Sequence, residues 1–163
     1  MRFLNGSVTR TAGSAIFRCV AMAAFFAATM EIGKTAPQND KLWQTDYKQA
    51  LEQAAKEKKN VLLDFTGSDW CPFCVQMDKE VLNQPEFKTF AATNLILVKL
   101  DFPRRKQLPP GEKEQNERLG QRFSIEGYPT YILLDPTGKE VKRQVGYLAG
   151  GPKEFIKWAH AGT

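Results

Sequence analysis

Three short apolar runs, Val61–Phe65 (VLLDF), Leu95–Leu100 (LILVKL) and Thr130–Leu134 (TYILL), are each preceded by a stretch with helical spacing. Four to eight apolar residues bounded by turn signals read as buried strands, and strands alternating with helical patterns read as βαβ units. Tyr47, Ala50, Leu51, Ala54 and Ala55 recur at helical spacing between Asp46 and Lys59. A second helix is expected from Cys71 past Leu82, broken by Pro85, where a further helical piece begins. Residues 103–112 (PRRKQLPPGE) hold three prolines and a glycine and read as a loop, followed by a short helix over 113–123. Asp135-Pro136-Thr137-Gly138 is a turn joining the third run to a return strand over 140–145, and Gly150-Gly151-Pro152 opens a last helix. The predicted fold class is α/β: a central mixed four-stranded sheet with helices on both faces.

At 163 residues the chain fits one domain, residues 37–163, behind a leader of residues 1–36. The leader places three arginines ahead of Cys19–Met30 (CVAMAAFFAATM). That apolar stretch is shorter than the roughly 18–20 residues that span a bilayer and matches the core of a secretory signal. Export, to the periplasm, is therefore expected; an uncut leader would tether the chain to the membrane. Residues 1–36 hold four of the 23 cations against one of the 18 acids, so much of the basic excess belongs to the leader. The only basic cluster beyond it is Arg104-Arg105-Lys106, which reads as a solvated loop, and no nucleic-acid partner is expected.

Once the leader is set aside, two cysteines remain, Cys71 and Cys74, three apart in Trp70-Cys71-Pro72-Phe73-Cys74. The motif follows a strand and opens a helix. A helix start offers unpaired N–H groups and partial positive charge, which lower a thiol's pKa, typically to about 3.5–7.5 in such motifs. Pro72 has no N–H to leave orphaned in the first turn. Structural zinc needs four ligands, and past the leader only these two cysteines and His160 offer a thiolate or an imidazole, so no metal site is assigned. Two thiolates holding a copper(I) ion remain an alternative.

Further residues bring a resemblance. Leu63-Asp64-Phe65, Trp70-Cys71-Pro72-Phe73-Cys74, Val98-Lys99-Leu100-Asp101 and Ile125-Glu126-Gly127-Tyr128-Pro129-Thr130 occur in the order found in the thioredoxin superfamily. The chain resembles its exported members from about Trp43 to Ala161. The resemblance implies a thioredoxin-like fold, a cis proline at Pro129 opposite the cysteines, and thiol–disulfide exchange without a cofactor beyond the Cys71–Cys74 pair. It implies that Cys71 attacks a substrate disulfide and that Cys74 resolves the mixed disulfide. By the same resemblance Asp64 would be the buried acid that moves the resolving thiol's proton, with Lys99 its neighbour. Trp70, Pro72, Phe73, Tyr128, Pro129 and Thr130 would line the substrate groove. The implied partners are protein disulfides and a membrane or exported electron donor.

The segment between strand and cysteines is one residue longer than the commonest thioredoxin pattern, which leaves open whether Asp69 shares the task of Asp64. Strongly oxidising members carry a histidine between the cysteines. Phe73 cannot stabilise a thiolate in that way, so a potential toward the reducing end of the roughly −270 to −120 mV range is expected. The alternatives to a reductase are a client- or copper-binding module with little turnover, and an isomerase or oxidase.

Overall fold

The structure, a computed structural model, describes residues 42–160; the expected leader and Cys19 lie outside the described residues. The elements are β1 (Trp43–Gln44), α1 (Tyr47–Glu57), β2 (Asn60–Thr66), α2 (Pro72–Met77), a π-helical turn (Asp78–Leu82), α3 (Pro85–Asn94), β3 (Leu95–Asp101), α4 (Pro110–Arg122), β4 (Thr130–Leu134), β5 (Glu140–Val145) and α5 (Gly151–His160).

The sheet is mixed and ordered β1-β3-β2-β4-β5. Strand β2 is its centre and every one of its residues is buried. It runs parallel to β3, with Asp64 opposite Lys99, and antiparallel to β4, with Asp64 opposite Tyr131. Five strands are present among the described residues where four were expected. The extra one is the two-residue β1, which pairs Trp43 with Leu97 and Gln44 with Val98. Two residues are too few to show a period of two, so only the sheet edge they meet reveals them as a strand.

Alternation along β2 divides the interior. Val61, Leu63 and Phe65 point into a cluster with Tyr47, Ala50 and Ala54 of α1 and Leu119 of α4. Leu62 points the other way, toward Met77 of α2, Val81 and Leu82 of the π-helical turn, Phe87 of α3 and Phe155 of α5. Helices thus cover both faces. Asp64 shares the face of Leu62 by the period of two, so its carboxyl is directed toward the layer that carries α2.

Local chemistry sets the helix ends. The Asp46 carboxylate caps α1 by accepting the Gln49 N–H at 2.9 Å, and Lys58 closes the helix in the left-handed region at φ 55°. The helix expected from Cys71 past Leu82 is interrupted: the Asn83 N–H reaches the Asp78 carbonyl at 2.8 Å, an i→i+5 bond that widens the last turn. Helix α4 begins at Pro110, three residues before the expected start, because a proline suits the first helical turn even inside a proline-rich stretch.

The Cys71–Cys74 site

The chain leaves β2 at Thr66 and turns tightly at Gly67, whose carbonyl accepts the N–H groups of Trp70 and Cys71 at 3.2 and 2.9 Å. A Cβ on Gly67 would meet the Trp70 indole at 2.5 Å, so the turn closes only with glycine there. Cys71 is the N-cap of α2, extended at φ −91° and ψ 108°, and its sulfur accepts the Cys74 N–H at 3.2 Å. Pro72 takes the first helical position. Cys71 and Cys74 form a disulfide with 5.2 Å between their Cα atoms. Both are buried, while Phe73 between them is 56% exposed. The Cys74 sulfur in turn receives the Gly67 N–H at 3.5 Å. Each sulfur therefore has a backbone donor that would favour its anionic form.

A group of charges lies on the side of β2 that faces α2. Asp64 is 1% exposed, and neither carboxylate oxygen has a hydrogen-bond partner. Burial pushes its pKa up to about 7; Lys99 opposes that rise, and Asp78 and Asp101 add to it. The Lys99 ammonium sits 4.0 Å from Asp64 Oδ2 but only 3.2 Å from both oxygens of Asp78. It also lies 5.4 Å from the centre of the Trp43 ring. Lys99 and Asp78 are about a quarter exposed, so the group runs from a dry carboxyl to partly wet charges. Asp78 was not picked out from sequence. Its signal is its place four residues after Cys74, on the same side of the helix.

Asp69 does not share the burial of Asp64. It lies on the turn before Trp70 and accepts the N–H groups of Arg104, Arg105 and Lys106 at 3.0, 2.8 and 3.1 Å. The Arg104 N–H, with those of its two neighbours, holds the Asp69 carboxyl below its ordinary range against a smaller effect of burial. The extra residue before the cysteines thus carries a loop anchor.

Of the expected groove residues, Tyr128 meets Trp70. Its indole N–H donates to the Phe102 carbonyl at 2.7 Å, and its ring meets Tyr128 edge-on with centroids 5.6 Å apart. Tyr128 also touches Phe102, at 5.3 Å, an aromatic neighbour missed in the sequence. The Tyr128–Pro129 bond is cis. Pro129 is buried, and the Thr130 hydroxyl is turned inward to the Gly127 carbonyl at 2.8 Å. His160 is exposed at the end of α5, its ring 6.2 Å from Phe90.

This arrangement has known counterparts. The thioredoxin-like domain family matches residues 47–163. A protein named disulfide bond reductase DsbH, from Chlamydia pneumoniae, is 34% identical over 114 residues, covering 70% of this chain and 68% of the relative. The thioredoxin-related protein DsbJ of the same organism is 29% identical over 115 residues, 71% of this chain but 33% of that protein. The chain thus spans about two thirds of the first relative's length and a third of the second's. A solved structure described as a DsbH oxidoreductase superposes with a TM-score of 0.69 at 32% identity, covering 74% of this chain and 82% of that one. The chain belongs to the thioredoxin-like family.

Proposed function

We propose that this chain is a thiol–disulfide oxidoreductase that reduces protein disulfides outside the cytosol. One observation carries the reading: a disulfide-bonded pair with Cys71 at the start of α2, its sulfur accepting a backbone N–H, in the helical layer toward which a buried carboxyl held near neutrality is directed.

In the reduced state the Cys71 thiolate attacks one sulfur of a substrate disulfide. A mixed disulfide forms, and the first substrate thiolate leaves. Asp64, as carboxylate, takes the proton from the Cys74 thiol. Cys74 then attacks the Cys71 sulfur, the second substrate thiolate leaves, and the Cys71–Cys74 bond of the structure results. The proton on Asp64 returns to solvent by way of Lys99 and Asp78, which lie between it and water. Two electrons pass from the cysteine pair to the substrate, so the reading calls for no cofactor. Trp70, Phe73, Tyr128 and Pro129 hold an extended substrate segment across the sulfurs.

The leader, as an export signal or anchor, supports a periplasmic setting. A membrane or exported donor would then return the electrons, because thioredoxin reductase works in the cytosol. The name of the DsbH relative, a disulfide bond reductase, supports the direction of transfer.

Insulin reduction with dithiothreitol as donor tests the reading. The chain is expected to precipitate insulin well ahead of the uncatalysed reaction, and Cys71→Ser to abolish that gain. Retention of full activity by Cys71→Ser would overturn it. Client or copper(I) binding without turnover would favour the binding-module alternative.

A further inference from the structure

Residues 103–112 (PRRKQLPPGE) carry three cations and one acid, Glu112. From sequence alone they read as a solvated loop. In the structure the start of this loop is fastened to the active-site turn by side chains and backbone together. Asp69 accepts three successive N–H groups, from Arg104, Arg105 and Lys106. Ser68 donates its N–H and its hydroxyl to Asp101 at 3.0 and 2.7 Å, and Lys106 pairs with the same carboxylate at 2.7 Å. Trp70 donates to the Phe102 carbonyl. The Arg104 guanidinium lies 3.8 Å from the centre of the Trp70 ring, a cation–π contact.

A loop that only faces water needs none of these ties. Their joint effect is to hold the Arg104 guanidinium, and the backbone of Arg105 next to it, beside the residue that precedes Cys71. Lys106 is paired with Asp101, but Arg104 and Arg105 are exposed and make no ion pair among the described residues. The Asp69 and Asp101 carboxylates beside them stay ionised and offset part of the charge of Arg104, Arg105 and Lys106, with Arg105 attracted to Asp69. What remains on this side of the groove is a net excess of positive charge, with Arg104 against an aromatic face.

We propose that Arg104 and Arg105 form an electropositive rim that selects protein disulfides flanked by acidic residues. An Asp or Glu near the substrate cysteine meets the guanidinium fork, whose geometry matches a carboxylate, while the extended segment crosses Trp70 and Tyr128-Pro129. The rim deepens the reductase reading of this same site and rests on it. Exposed ion pairs are individually weak, so two arginines give a preference of about three- to tenfold, mainly at the encounter step and reduced by salt.

The test uses the full chain and three probes. Two are disulfide-bridged peptides that differ only in having Glu or Lys beside each cysteine. The third is the neutral small molecule bis(2-hydroxyethyl) disulfide. Each kcat/KM is normalised to the probe's reduction rate with dithiothreitol. The Glu peptide is expected to be favoured about three- to tenfold at low ionic strength, with the preference shrinking in roughly 0.5 M salt. The double variant R104E/R105E is expected to reverse the order, an outcome that misfolding cannot mimic. Equal rates for the two peptides, or a preference left unchanged by the double variant, would overturn the rim while turnover of the neutral disulfide leaves the reductase reading standing. No turnover of the neutral disulfide by the unaltered chain would overturn the reductase reading, and the rim with it.

Discussion

At the scale of single residues, the site is a problem of where negative charge can rest. A thiolate on Cys71 has the Cys74 N–H, and one on Cys74 has the Gly67 N–H. Asp64 has no hydrogen-bond donor and only a 4.0 Å approach from Lys99, so it accepts a proton near neutrality. This makes it suited to deprotonating a thiol whose own ordinary pKa is about 8.5. Asp64→Asn should therefore slow insulin reduction by about tenfold or more at pH 7. The deficit should shrink by pH 9, where the Cys74 thiol ionises unaided. A deficit of constant size across that range, measured as a pH–rate profile, would show that Asp64 acts by packing alone.

At the scale of elements, much of the sheet was legible because strands β2, β3 and β4 are long enough to show their apolar runs. The alternation that sends Leu62 and Asp64 to one face of β2 follows from the same period. What escaped the sequence depends on contacts between elements. Strand β1 exists only against β3. The π-helical turn at Asp78–Leu82 has no residue signature. Asp78 matters because Lys99 of β3 arrives beside it. The loop after β3 reads as surface until Asp69, 35 to 37 residues earlier, is seen to hold its backbone. Of the groove residues proposed from the family pattern, Trp70 and Tyr128 meet directly, whereas the Thr130 hydroxyl is directed into the fold. Asp69→Ala removes the side-chain acceptor of all three backbone N–H groups. The amides of Arg104, Arg105 and Lys106 should then exchange roughly tenfold faster or more in hydrogen-exchange measurements, while those of β2 keep their protection. Unchanged exchange at the three amides would show that Trp70 and Lys106 suffice to hold the loop.

For the molecule as a whole, the buried carboxyl of Asp64 has a cost that pH should expose. The folded chain holds a proton on Asp64 up to a pH of about 7, whereas the unfolded chain releases it near the ordinary value of 3.8. Between these values the folded state binds more protons, so this group lowers stability as pH rises, and its effect levels off above about 7. The slope is at most about 1.4 kcal/mol per pH unit. Asp101 acts in the opposite sense. Burial would raise its carboxyl, but Lys106 and two hydrogen bonds from Ser68 outweigh that and depress it, so its contribution is lost as pH falls into the acid range. The two effects are separable by replacing Asp64. In urea unfolding of the oxidised protein, Asp64→Asn should be more stable than the unaltered chain at pH 8, by on the order of 1–4 kcal/mol. At pH 4 the difference should be much smaller. A stability difference independent of pH would contradict the buried, protonatable carboxyl.

Electrons that leave through Cys71 leave a trace that trapping reads directly. Cys74→Ser, reduced and mixed with insulin, should accumulate a mixed disulfide that mass spectrometry maps to Cys71, while Cys71→Ser accumulates none. An adduct formed equally well by Cys71→Ser through Cys74, or no adduct from Cys74→Ser under conditions where the unaltered chain turns over, would contradict the assignment of Cys71 as the attacking group and Cys74 as the one that releases it.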